Sequence, residues 1–308
     1  MNRALGLVAL SLFALTACVV EPGTDDESME ESDIAPDVDG KAVMPVRGYA
    51  GTTSNATSSI TYHGGKIMGA GVKVYMIWYG AFNGGSGSST SYKSIMNDLI
   101  SGIGSSAYYA INTSYTDSTG ASVQKSVTLA GQQDFGYLSG KTRLTDANIK
   151  TVVTTAIANG LGPAGGDENG LYLVLTSKDV TASSGFCNQY CGWHTHATIN
   201  NKNIKYSFVG DANRCLSSCA DQTTSPNGDP GADGAASVVA HELVETASDP
   251  DLNAWYDSSG AENADKCAWN FGATSTASNG SLYNMSISGR QYLIQQNWSA
   301  ASQSCGLK

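Results

Sequence analysis

Residues 234–250 read GAASVVAHELVETASDP, and the fold turns on how this segment is placed. Asp233 is a good N-cap for a helix starting at Gly234 or Ala235, and Asp249 with Pro250 ends it. Ala236, Val239, Ala240, Leu243, Val244 and Ala247 recur at helical spacing and form an apolar stripe that must pack on something. At roughly 100° per residue, His241, Glu242 and Glu245 fall on the other side. His241 and Glu245 are one turn apart, so an imidazole and a carboxylate can meet at one point, with Glu242 beside them. Two readings follow: a metal-ligand pair next to a general base, or a charged helix face turned to water.

A metal that does chemistry needs a third protein ligand and an open position. The stretch NAWYDSSGAENADKCAW, residues 253–269, offers Asp265 and Glu262, while Asp249 and Asp251 compete from closer by. From His241 to Asp265 the segment resembles the thermolysin-like zinc peptidases, the gluzincins. These run from an H-E-x-x-H helix through a Gly-containing turn to a glutamate ligand at the same separation. The resemblance implies His241, Glu245 and Asp265 as zinc ligands, Glu242 as the base that deprotonates metal-bound water, and a zincin-like fold. Glu245 stands where that pattern has His, and Asp265 where it has Glu. A site with one imidazole and two carboxylates is harder and more anionic, which brings Mn²⁺ or Ca²⁺ into competition with Zn²⁺.

Other polar residues compete with this site. His194 and His196, in CGWHTH, could assist catalysis or simply bond to a loop backbone, and His194 is the better catalytic candidate. Tyr256 and Tyr283 could stabilise an oxyanion. His63 reads as structural. Asp229 and Asp233 in SPNGDPGADG suit either Ca²⁺ or a turn and helix cap. No G-x-S-x-G marks a nucleophile.

Outward from the helix, VKVYMIWY (72–79) and LYLVLTS (171–177) read as buried strands, and SVQKSVTLAG (122–131) and IKYSFVG (204–210) as further strands. SYKSIMNDLIS (91–101) has helical spacing, and TDANIKTVVTTAIANG (145–160) is a helix with Thr145 as N-cap and Gly160 as stop. The Cys-rich segment GFCNQYCGWHTH reads as a loop. Short strands, LYNMSIS and QYLIQQNW, close the chain. The fold expected is one α+β or α/β domain over residues 55–308, with a mixed sheet, an active-site helix and disulfide-stapled loops.

The N-terminal region reads differently. Residues 1–17 have the form of a signal peptide, and LTAC places Cys18 where a bacterial lipoprotein would be lipidated. Residues 18–54 read as a tether, first acidic and then rich in Gly, Ser and Thr. Nine of the 27 acidic residues lie in 21–40, so most of the formal charge of −10 belongs to that tether. No basic patch argues for nucleic acid. Six later cysteines, at 187, 191, 215, 219, 267 and 305, suit disulfides in an exported chain, with the pairing open and a structural zinc on the two C-x-x-x-C pairs as the competitor.

YHGGKIMGAGVKVYMIWYGAF, SGFCNQYCGWH, YSFVGDANRCLSSCA and NGDPGADG together resemble the exordium, or phosphate-induced protein 1, family from about Tyr62 to Cys305. That resemblance implies a secreted, disulfide-bonded protein and brings no enzymatic activity with it. The expectation is therefore a secreted or surface-tethered monomeric zinc metallohydrolase acting on peptides or proteins, touching a membrane only through Cys18. The rival expectation is a non-catalytic extracellular binding or signalling protein with at most a structural metal.

Overall fold

A computed structural model describes residues 40–48 and 58–308. The expected signal peptide, Cys18 and most of the expected tether lie outside the described residues. Six strands form one sheet: β1 (Ala42–Pro45), β2 (Val72–Tyr79), β3 (Val127–Gly136), β4 (Gly170–Thr176), β5 (Tyr190–Ile199) and β6 (Lys202–Val209). Their order is β1-β5-β6-β4-β2-β3. β3, β2, β4 and β6 run parallel, and β5 runs against both of its neighbours, so the sheet is mixed.

β2 and β4 are neighbouring interior strands covered on both faces, which is why they read as largely apolar runs rather than alternating ones. Three longer helices are α1 (Tyr92–Ile103), α2 (Asp146–Ala158) and α3 (Pro230–Ser248). Thr145 caps α2 as expected, through a capping box with Asn148. The register places Met76, Leu173, Ser207 and His194 in one row across β2, β4, β6 and β5. That row shares its face with Trp78, whose ring lies under the Lys93 ammonium of α1. α1 packs against α3, so both lie over the face that carries His194.

Several expected boundaries shift. The lead-in before residue 55 contributes β1, which pairs with β5 and buries Lys41, Ala42 and Met44. The edge strand expected at 122–131 begins five residues later, at Val127. Ser122 and Val123 instead close a tight turn around Asp117, bridging to Thr116 and Tyr115. The Cys-rich loop becomes a strand from Tyr190, carrying both Cys191 and His194. α3 starts earlier than expected. Pro230 takes the first turn, where its missing N–H is no loss, and Asp229 rather than Asp233 caps it by accepting from the Ala232 amide at 3.0 Å.

The cysteines pair as Cys187–Cys215, Cys191–Cys219 and Cys267–Cys305. Two bridges thus staple the start of β5 to the loop ahead of α3, and the structural-zinc alternative for these cysteines falls. Three disulfides suit an exported protein. Among the described residues no helix is long and apolar enough to cross a membrane.

Candidate metal centre

The expected apolar stripe of α3 is buried, but so is the opposite side. His241, Glu242 and Glu245 are each 0% exposed. The charged face does not meet water; it meets β5 and the segment after the helix. Small residues let this happen. At Gly192 of β5, an added Cβ would lie 2.5 Å from Val238 Cγ1 and 3.1 Å from Glu242 Oε1, so the strand backbone lies directly over the helix.

Six ionisable side chains converge there. His241 Nε2 is 2.9 Å from Glu245 Oε1 and 3.3 Å from Asp265 Oδ1. His194 Nδ1 is 3.2 Å from Glu242 Oε2 and 3.5 Å from Glu245 Oε2. On its other side, His194 Nε2 is 3.5 Å from Glu262 Oε2. Glu245 is common to both groups, one oxygen toward each histidine. The Asp265 amide donates to Glu245 Oε1 at 3.0 Å, and the Glu262 amide donates to Asp265 Oδ2 at 3.1 Å. These bonds lock the 262–265 turn onto the helix.

Ring orientation is fixed from behind. The side-chain amide of Gln295 lies 2.7 Å from His241 Nδ1 and donates to the Ala264 carbonyl at 3.1 Å. The Gln295 amide in turn donates to Ser237 Oγ of α3 at 3.1 Å. Gln295 was not legible in the sequence: it lies 54 residues from His241, in a segment read only as a strand.

The cluster leaves polar atoms without hydrogen-bond partners. His194 Nε2, His241 Nε2, Glu242 Oε1, Glu245 Oε2 and both Glu262 oxygens are buried and unpartnered. A buried polar atom without a partner costs free energy, and a buried carboxylate costs more. Two triads have ligand atoms close enough to hold an ion: His194, Glu242 and Glu245, and His241, Glu245 and Asp265. A tetrahedral site with bonds of about 2.0–2.1 Å has edges of roughly 3.3–3.4 Å. The histidine–carboxylate separations of 2.9–3.5 Å in the triads are of that size, and all ligand atoms of each triad lie within 4.8 Å of one another.

Among the protein groups alone, burial and mutual repulsion distort the titrations. Burial pushes Glu242 up to about 7, with the Glu245 charge adding to it. Glu245 goes the other way, to about 2: burial opposes its charge, but the imidazolium groups of His241 and His194 outweigh that. Asp265 is raised to about 6 by burial and by Glu245, and Glu262 well above the carboxylate range for the same reasons. Burial works against a charged His194, yet Glu242 and Glu245 raise it to about 10.

The other candidates lie elsewhere in function. Asp249 accepts from the amides of Asn253, Ala254 and Trp255 and closes the C-terminus of α3. Asp251 accepts from Asn203 Nδ2 at 3.0 Å and pairs with Lys205. His63 stacks on Tyr256 at 3.7 Å and bonds the Tyr256 carbonyl, so both serve packing. Tyr283 belongs to a ribbon with Ser275–Thr276. His196 lies further along β5, opposite Lys205. Asp233 accepts from Ser225 and Asn227, and Asp229 from Asn213, so turn and cap account for both. His194, read as a loop residue, is brought into the cluster because β5 extends through it, and Glu262 lies within it as well.

The phosphate-induced protein 1 conserved region matches residues 60–307. EXORDIUM-like 3 of Arabidopsis thaliana is 32% identical over 283 residues, covering 80% of this chain and 82% of that protein. EXORDIUM-like 5 of the same plant is 30% identical over 286 residues, covering 80% and 77%. PHOSPHATE-INDUCED 1 of Nicotiana tabacum is 27% identical over 221 residues, covering 64% and 67%. No solved structure matches the chain. The chain belongs to the phosphate-induced protein 1, or exordium, family.

Proposed function

We propose that this chain is an exported exordium-type protein whose fold is fastened by a buried divalent cation at His241, Glu245 and Asp265, and that its role outside the cell is non-catalytic. The observation that carries this reading is enclosure. His194, His241, Glu242 and Glu245 have no exposed surface, Glu262 is 2% exposed, and β5 crosses Glu242 at Gly192. A hydrolytic site keeps a position open to water and substrate, and here the side chains around that position have no exposed surface. Glu242 has no exposed surface for a peptide carbonyl to reach, and β5, which lies over it, is held by two disulfides and by pairing on both edges. Zn²⁺ suits three N and O ligands at these separations, and Mn²⁺ or Ca²⁺ suits the carboxylate-rich set.

One observation favours a second reading, a metallohydrolase with Glu242 as general base. Burial pushes Glu242 up to about 7, where a base working at neutral pH should titrate. The Asp265 side chain is also 13% exposed, so the edge of the cluster reaches solvent. In that reading zinc would supply an acidified water, Glu242 would take its proton, and His194 would act as proton donor.

The test is Glu242→Gln in purified protein loaded with zinc and compared with wild type for thermal stability and for hydrolysis of a mixed peptide library. A fastening role predicts that both forms melt lower once chelator removes the zinc and that neither hydrolyses the library. Hydrolysis by wild type that the variant abolishes, with melting unchanged, would overturn it in favour of the hydrolase.

A further inference from the structure

The cluster holds more ligand atoms than one ion can use. An ion between His241, Glu245 and Asp265 leaves His194, Glu242 and Glu262 facing one another, all buried, with unpartnered atoms on each. Four carboxylates meet in this enclosed space: Glu242, Glu245, Glu262 and Asp265. One divalent cation at His241, Glu245 and Asp265 would leave His194 Nε2, Glu242 Oε1 and both Glu262 oxygens buried without partners, and a buried polar atom without a partner costs free energy. The ligand atoms of His194, Glu242 and Glu245 lie close enough together to hold a second ion.

The two oxygens of Glu245 are already divided. Oε1 faces His241 and accepts from the Asp265 amide, while Oε2 faces His194 and has no hydrogen-bond partner. A carboxylate placed this way can bridge two ions, whose usual separation in paired sites is about 3.5–4 Å. The far nitrogen of His194 supports the same conclusion. With Nδ1 turned to Glu242 and Glu245, Nε2 points at Glu262, 3.5 Å away. A metal-bound histidine commonly donates its other N–H to a carboxylate, which fixes its tautomer.

We propose that the centre is dinuclear: one ion held by His241, Asp265 and Glu245, a second by His194, Glu242 and Glu245, with Glu245 as the bridge and Glu262 orienting His194. This rests on the cation-fastened reading above and extends it. In this arrangement Glu242 acts as a ligand rather than as a free general base.

The test is metal content by elemental analysis of the full exported chain, stripped with chelator, dialysed against Zn²⁺ alone and washed. Wild type should hold two equivalents. His194→Ala should hold one, Asp265→Ala one, and Glu245→Ala fewer than either. Because a variant could fail to fold, wild type loaded with Mn²⁺ alone is examined by electron paramagnetic resonance at one and at two equivalents. A bridged pair couples magnetically, so the six-line signal of isolated Mn²⁺ should weaken on adding the second equivalent. One equivalent in wild type, kept in His194→Ala, would overturn the second position and leave the single-ion reading standing. Two equivalents with an undiminished six-line Mn²⁺ signal would overturn the bridge. No bound metal in wild type would overturn this proposal and the cation-fastened reading together.

Discussion

Stripped of metal, the protein should lose stability as pH rises from 5 to 8, the reverse of what a cation-loaded form should do. Burial raises Glu242 to about 7 and Asp265 to about 6 among the protein groups alone. A carboxyl whose folded pKa lies above its unfolded value stabilises the fold at low pH, and that contribution disappears as pH rises through the folded value. For Glu242, raised from 4.5 to about 7, the loss between pH 5 and 8 is on the order of 2–3 kcal/mol. His194, raised to about 10, adds in the same direction: its contribution is complete below the unfolded value of 6.5 and is lost as pH climbs toward 10. Glu245, held at about 2, contributes stability that is already complete above 4.5 and does not oppose the trend.

At roughly 2 °C per kcal/mol for a domain of this size, Glu242 alone should lower the melting temperature by about 5 °C across that range. Bound cations change the sign. Metal and protons compete for the same atoms, so at fixed metal the loaded form should gain stability as pH rises through the same range. Scanning calorimetry from pH 5 to 8, with chelator and with excess Zn²⁺, measures both curves. Parallel curves, or a chelated form that grows more stable toward pH 8, would refute the reasoning from the cluster's burial.

Other consequences are separable. Gly192→Ala places a Cβ 2.5 Å from Val238 Cγ1; overpacking at this crossing should cost about 1–3 kcal/mol, with metal content reduced, both readable by calorimetry and elemental analysis. The bridges Cys187–Cys215 and Cys191–Cys219 close loops of the same separation, 28, between the same two segments. Either can partly stand in for the other, so removing one should cost about 2.7 kcal/mol and removing both more than twice that, measured by denaturant unfolding. Asp229→Ala removes the cap of α3 at the Ala232 amide and should destabilise by about 1 kcal/mol without changing metal stoichiometry.

The register of α3 and the meeting of His241 with Glu245 were legible because helical periodicity sets which side chains share a face. Enclosure of that polar face was not. Periodicity divides a helix into two sides but says nothing of what lies against the second one. Here β5 lies against it, and β5 was hidden because its sequence, YCGWHTHATI, breaks the usual alternation with a glycine and two histidines. Those same residues are the ones the helix needs, Gly192 for close approach and His194 for the cluster. The gluzincin-like spacing pointed to Asp265, which the turn at 262–265 brings beside His241, whereas Gln295 carried no local signal. The cap was misplaced for a simpler reason: Asp229 and Asp233 both suit an N-terminus, and only Pro230 at the first position decides between them.

An H-E-x-x-E helix cannot by itself distinguish a hydrolase from a fastening. In both, the ligands sit one turn apart and the intervening glutamate lies beside them. The difference is set by what covers that glutamate. In a hydrolase it must face a cleft, with water between it and the metal. In this chain its Oε2 is 3.2 Å from His194 Nδ1, and Gly192 brings the β5 backbone over its Oε1. A Cβ at 192 would meet Val238 Cγ1 at 2.5 Å and Glu242 Oε1 at 3.1 Å, so helix and strand could not keep this spacing. The choice between closed centre and open site therefore rests less on the metal ligands than on one missing side chain in the strand across from them.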